Sequence, residues 1–161
     1  MIFFAGNIAN AQKSLDDLLN KYNSGKVAYI SVEELKMKED ETPIWILDTR
    51  EREEFEVSHI KNAEFVGYNN FSVKEITALI TDKSAPIIVY CSLGIRSENI
   101  GNELQKAGFS NVQNLYGGIF EWKNSGYKVY NVEDKETEKV HAYSKTWSKW
   151  LKKGEKVYPK N

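Results

Sequence analysis

Residues 85–101 read APIIVYCSLGIRSENIG, and no other stretch restricts the fold of this chain so tightly. Behind Pro86, the apolar run Ile87, Ile88, Val89 and Tyr90 predicts a short buried strand. The strand ends on Cys91, the only cysteine in the chain. From Arg96 onward Ile100, Leu104 and Ala107 recur at helical spacing, so a helix begins near Arg96. Strand, tight loop and helix N-terminus in that order aim the loop amides at whatever Cys91 carries, and the helix dipole favours negative charge there.

Two readings of Cys91 follow. A lone cysteine after an apolar strand reads as a small buried hydrophobe. A cysteine beside a helix N-terminus and an arginine reads as an activated thiolate, because those two settings lower a thiol pKa. The spacing favours the thiolate, since a core cysteine has no use for Gly94 three residues on or Arg96 five residues on.

The rest of the chain places this unit in a sheet. Leu15, Leu18, Leu19 and Tyr22 share a helical face that ends near Ser24-Gly25, and Val27 to Ile30 follows as a strand. Ser31 and Glu34 predict a capping box opening a helical turn through Leu35, and the charged run from Lys36 to Thr42 reads as a surface loop. A second strand, Ile44 to Leu47, stops on Asp48-Thr49-Arg50 and leads through a helix at Glu51 to Val57 into a strand at Glu64 to Val66. Val73, Ile76, Leu79 and Ile80 mark a packing helix within Phe71 to Asp82, and Val112 to Leu115 is the strand after Gly108. Strands alternating with helices predict an α/β fold with a parallel central sheet and helices on both faces. Ligand sites in such sheets lie beyond the carboxyl ends of the strands, so Asp48 and Cys91 should share one rim.

At 161 residues the chain is one domain's worth. A formal net charge of −1 implies no nucleic-acid partner. One cysteine rules out an internal disulfide and a cysteine-rich metal site, two distant histidines make no site either, and no metal or cofactor is expected. No run approaches transmembrane length, so no stable membrane insertion is expected. The apolar patch Ile2 to Ile8 with Ala9-Asn10-Ala11 behind it reads either as the end of a signal peptide over residues 1–11 or as the start of the first helix. Cytoplasmic placement is the default expectation, and export the alternative if the leader reading holds.

Three stretches resemble one known family. CSLGIRS, from Cys91 to Ser97, is similar to the active-site loop of the rhodanese sulfurtransferases, C-x-x-G-x-R-[ST]. Asp48, Arg50, Glu54, Phe55, His59, Ile60 and Ala63 stand at positions of that family's first signature, with Ser58 and Asn62 where it carries glycines. Gly117, Gly118, Ile119, Trp122, Gly126, Tyr127 and Val129 fall on its last. The resemblance spans about residues 40–130, with a helical extension over 1–39 and a C-terminal extension over 131–161. In that extension Trp147, Trp150 and Leu151 sit at helical spacing; buried, they would clamp it onto the domain, and exposed, they would form a binding site.

The resemblance implies that Cys91 carries a sulfane sulfur as a persulfide. Backbone amides of Ser92, Leu93, Gly94, Ile95, Arg96 and Ser97 would cradle the sulfur anion, and Arg96 would add charge or brace the loop. Asp48 and Arg50 are supporting residues, read as a helix cap and an ion pair that fix the strand end, with direct substrate contact as the alternative, and His59 is read as a structural hydrogen-bonding residue rather than a base. The partners implied are a small-molecule or protein sulfur donor (thiosulfate, a polysulfide or a persulfide) and a thiol or cyanide acceptor. Phosphatases and arsenate reductases of related fold place five residues between cysteine and arginine, whereas four separate Cys91 from Arg96, a cradle sized for one sulfur. The alternative is a catalytically weak sulfur carrier or a protein-interaction module. Arg96→Ala is expected to raise the Cys91 pKa more than it disturbs stability.

Overall fold

The apolar runs pair side by side. In the computed structural model, which describes residues 14–159, strands β1 (Ala28–Ile30), β2 (Trp45–Asp48), β3 (Glu64–Phe65), β4 (Ile87–Tyr90) and β5 (Val112–Leu115) form one five-stranded sheet in the order β1-β5-β4-β2-β3. Every pairing in it is parallel. The two readings of residues 1–11 lie outside the described residues. β4 is central, and its register against β2, from Trp45 opposite Ile87 to Asp48 opposite Tyr90, brings both strands to an end at one level.

Helices α1 (14–22), α2 (Val32–Glu39), α3 (Arg52–Val57), α4 (Val73–Leu79), α5 (Arg96–Lys106) and α6 (Gly118–Asn124) connect or flank the strands. Alternate residues of β4 face opposite sides. Ile88 and Tyr90 join a cluster with Leu19, Leu35, Ile119 and Phe120, so α1, α2 and α6 cover one face. Ile87 and Val89 join Ile76, Ile100 and Leu104, so α4 and α5 cover the other. A strand buried on both faces explains why its sequence is an unbroken apolar run.

Three local expectations change. The helix opening at Ser31 does not stop at Leu35 but runs to Glu39, so much of the stretch read as a loop is helical. The charged residues support that helix: Lys38 lies 2.7 Å from Glu34 and Lys36 lies 2.5 Å from Glu39, at helical spacings of four and three. Leu79 is half exposed at the end of α4, leaving Ile76 and Ile80 to do its packing. Tyr22, read as part of the buried face of α1, is also half exposed, with its ring edge-on to Trp147 at 6.0 Å.

Beyond the sheet, β6 (Val129–Tyr130) pairs with β7 (Glu136–Thr137), and β8 (Lys139–His141) pairs in parallel with β9 (Glu155–Val157). Between β8 and β9 lies a single 3₁₀ turn, Trp147–Trp150. Val140 and Leu151 are buried in the same cluster as α1 and α6, and Trp147 and Trp150 pack against it. Among the described residues no helix is long and apolar enough to cross a membrane.

Candidate active site

Cys91 leaves the carboxyl end of β4, and α5 begins five residues later, at Arg96. The loop between them is held from behind by the first turn of α6. The Ile119 amide donates to the Cys91 carbonyl at 2.9 Å and the Phe120 amide to the Ser92 carbonyl at 3.2 Å. That approach explains Gly118, whose φ is +56° and where a Cβ would lie 2.3 Å from the Cys91 carbonyl oxygen. With the loop carbonyls turned toward α6, the Gly94 amide turns the other way and donates to Cys91 Sγ at 3.1 Å. Gly94 makes that turn at φ +107°, a conformation open to glycine.

Arg96 braces the loop and also charges it. Its Nη1 donates to Glu54 Oε2 at 2.7 Å and its Nη2 to Glu54 Oε1 at 2.8 Å, with a further donation from Nη2 to Ser92 Oγ at 3.1 Å. Glu54, on α3, also accepts from the Glu51 amide at 2.9 Å and from Ser92 Oγ at 3.2 Å. On the far side of the thiol, Asn114 Nδ2 donates to the Gly94 carbonyl at 2.8 Å, which fixes the orientation of the Asn114 amide. Its Oδ1 then faces the Ser97 hydroxyl at 2.7 Å, and the same hydroxyl lies 3.5 Å from Cys91 Sγ. Ser97 has one hydroxyl proton and two acceptors, and a thiolate is the acceptor that would draw it away from Asn114.

The thiol is buried, and burial by itself pushes its pKa up. The Arg96 charge, the Ser97 hydroxyl and amide, and the Gly94 amide outweigh burial and bring the Cys91 pKa below the ordinary thiol value. Glu54 is likewise held below the usual carboxylate range against its own burial, by the Arg96 guanidinium first and the Arg50 charge next.

Asp48 and Arg50 sit on the rim but not at the thiol. Both are fully buried; Arg50 Nη2 donates to Asp48 Oδ2 at 2.6 Å and to the Ser58 carbonyl at 2.7 Å, and the Tyr90 hydroxyl donates to the same Asp48 oxygen at 2.5 Å. This pair ties together the end of β2, the turn after α3 and the end of β4. At one glycine position of the first signature Ser58 is extended, and at the other Asn62 takes φ +60°, which asparagine tolerates better than most residues. His59 stacks on Phe55, with Nδ1 3.1 Å from the Phe55 carbonyl oxygen.

The thiol opens onto a cavity of about 90 Å³ lined by Cys91, Ser92, Leu93, Ile95, Arg96, Tyr143 and Trp147. Sequence reasoning missed four contributors. Glu54 and Asn114 were matched or passed over without a role, though an acid inside a signature and an asparagine within an apolar strand were both signals. Tyr143 and Trp147 carried no signal for this site. Among the described residues no group of three His, Cys, Asp or Glu is gathered that could hold a metal ion.

Residues 31–125 match the family model of the rhodanese-like domain. Over 98 residues the chain is 33% identical to a protein of Coxiella burnetii named thiosulfate sulfurtransferase GlpE, covering 61% of this chain and 86% of that one. Over 110 residues it is 36% identical to a tRNA uridine(34) hydroxylase of Staphylococcus aureus, covering 65% of this chain and 33% of that one. The chain thus spans about a third of the length of the hydroxylases it matches. A crystal structure of the Alr3790 protein from Anabaena superposes with a TM-score of 0.59 at 28% identity, covering 64% of this chain and 92% of that one.

Proposed function

The chain belongs to the rhodanese-like domain family, and from that premise we propose that it is a sulfurtransferase that carries sulfane sulfur as a persulfide on Cys91. The observation that supports this most is the setting of the sulfur atom: a buried thiol that is nevertheless acidified, with the Gly94 amide donating to Sγ at 3.1 Å. Burial alone would make an inert cysteine.

In the first half-reaction the Cys91 thiolate attacks the outer sulfur of a donor. The donor's sulfur–sulfur bond breaks, and its electron pair leaves with sulfite from thiosulfate or with a thiolate from a persulfide. In the second, the acceptor, a thiolate or cyanide, attacks the terminal sulfur of the persulfide, and the Cys91 thiolate departs with the bonding pair. The Gly94 and Ser97 amides and the Arg96 charge stabilise the Cys91 thiolate, and preorganised donors of this kind would serve the persulfide anion in the same way. The chain holds no second cysteine, so the acceptor is another molecule.

Two observations weigh on the rivals. Both Arg96 nitrogens that could grip a phosphate are spent on Glu54, which disfavours phosphate-ester chemistry. Hydroxylation of a tRNA base draws support from the 36% identity to a hydroxylase, but a chain of formal net charge −1 offers no cation excess to hold an RNA backbone. The test is mass spectrometry of the protein after incubation with thiosulfate, a polysulfide or a low-molecular-weight persulfide. The reading requires one added sulfur on Cys91 that cyanide removes as thiocyanate. A protein that takes up no sulfur from any of the three is an interaction module instead.

A further inference from the structure

Two walls of the Cys91 cavity, Tyr143 and Trp147, lie past residue 125, where the family match ends. β8 and β9 bring them there. His141 closes β8, the Ala142 amide donates to the Val157 carbonyl at 2.7 Å, and the Tyr143 amide donates to His141 Nδ1 at 3.1 Å. Tyr143 holds φ at +63°, an outlier for a bulky side chain, so its ring is kept beside the thiol at some cost in backbone strain. The ring covers the face of the Arg96 guanidinium, 4.7 Å from its centroid. Trp147 is fixed in turn by the edge of Tyr22.

These walls change what the cavity accepts. With Leu93 and Ile95 they make it mostly apolar. Among the described residues Arg96 is the only cation lining it, and that charge is matched by Glu54 and roofed by Tyr143. A second negative charge on a donor would be desolvated there without a free cation to meet it. An apolar group would instead bury its surface. At about 90 Å³ the space is smaller than the roughly 150 Å³ cavity that takes a benzene ring, so it suits a short alkyl group.

We propose that Tyr143 and Trp147 are specificity-determining residues that make the site prefer a sulfane donor bearing a short alkyl group and a single negative charge over the inorganic dianion thiosulfate. The proposal rests on the persulfide reading of Cys91. For an alkanethiosulfonate the step balances as before. The Cys91 thiolate bonds to the terminal sulfur, the bond from that sulfur to the sulfonyl sulfur breaks, and the alkanesulfinate leaves with the electron pair.

Methanethiosulfonate and thiosulfate make the comparison, because they differ by a methyl group in place of one oxyanion. The kcat/KM for each is measured with cyanide as acceptor, and the ratio of the two is compared between the native protein and its variants, which cancels their different intrinsic reactivities. Tyr143→Asn keeps a residue that tolerates positive φ while removing the ring, and should lower the ratio about fourfold, the worth of one buried methyl group. The loss should fall in the KM for methanethiosulfonate. Tyr143→Phe should keep the native ratio, and Trp147→Leu is a second variant that thins the wall without touching Tyr143. A ratio unchanged in both Tyr143→Asn and Trp147→Leu, or lost equally in Tyr143→Phe, overturns the proposal while leaving the persulfide chemistry standing. If neither donor adds a sulfur to native Cys91 while a polysulfide or a low-molecular-weight persulfide does, this proposal is overturned and the sulfurtransferase reading stands; if none of the four adds a sulfur, both fail.

Discussion

Glu54 accepts both terminal nitrogens of Arg96, at 2.7 and 2.8 Å, and so couples the first turn of α3 to the first turn of α5 across the mouth of the Cys91 loop. The pairing gives Arg96 two duties. It supplies the charge that lowers the Cys91 pKa, and it neutralises a carboxylate that is almost wholly buried. Ser92 Oγ, bonded to both partners, adds the loop itself to the network.

This changes what Arg96→Ala should do. Removing the arginine raises the Cys91 pKa, as charge alone predicts, but it also strands Glu54. Breaking a buried ion pair on one side costs about 3–5 kcal/mol, so stability should suffer as much as reactivity. Arg96→Ala/Glu54→Gln should recover part of that stability and none of the thiol acidity. Urea unfolding reads the first quantity, and the pH dependence of iodoacetamide alkylation reads the second. A single variant within about 1 kcal/mol of native would show that the pair is worth no more than an exposed one.

Cys91→Ser should abolish sulfur transfer to cyanide and leave the fold intact, because the change is nearly isosteric and serine can still accept from the Gly94 amide. Circular dichroism and the thiocyanate assay together check it. Transfer surviving in this variant would sink the persulfide mechanism, since the chain has no other thiol.

The alkylation inflection of native Cys91 should lie below the free-cysteine value of about 8.5. Burial opposes this and the Arg96 charge, with the Ser97 and Gly94 hydrogen bonds, drives it, so Ser97→Ala should move the inflection upward by less than Arg96→Ala does. A native inflection at or above the free value would leave the thiol unactivated.

What the sequence disclosed and what it hid divide along physical lines. The strand, the loop and the helix start from Ile87 to Ser97 were legible because all their determinants are contiguous: an apolar run, a glycine where φ must be positive, and a helical period beyond. Gly117-Gly118 was legible as a motif, and the structure supplies its reason in the contact with the Cys91 carbonyl. Glu54 was hidden because it lies among Glu51, Glu53 and Glu56, a cluster that looks like a solvated helix face until Arg96, 42 residues on, is seen beside it. The same blindness turned the charged end of α2 into a loop. Tyr143 and Trp147 reach the site only through the pairing of β8 with β9, and no local period announces that pairing.

The pH dependence of stability should carry the signature of His141. The residue is buried at the end of β8, and burial is the largest influence on it, lowering its pKa below the ordinary value; the Arg50 and Arg96 charges act in the same sense, and Glu54 and Glu53 oppose them. Its Nδ1 accepts from the Tyr143 amide, so the neutral ring carries its proton on Nε2. In the unfolded chain the same imidazole titrates near 6.5. Between the lowered folded pKa and that value the unfolded state binds a proton that the folded state refuses, so stability is whole above about pH 6.5 and is lost as pH falls through the folded pKa. Protonating Nδ1 also removes the acceptor that holds the Tyr143 amide, so the same titration should loosen the aromatic wall of the cavity. His141→Asn places an oxygen where Nδ1 stood but does not titrate. Unfolding free energies measured from pH 7 to pH 5 should fall more steeply in the native protein than in this variant, by as much as one proton's linkage. Parallel slopes for the two proteins would mean that His141 does not set the pH response.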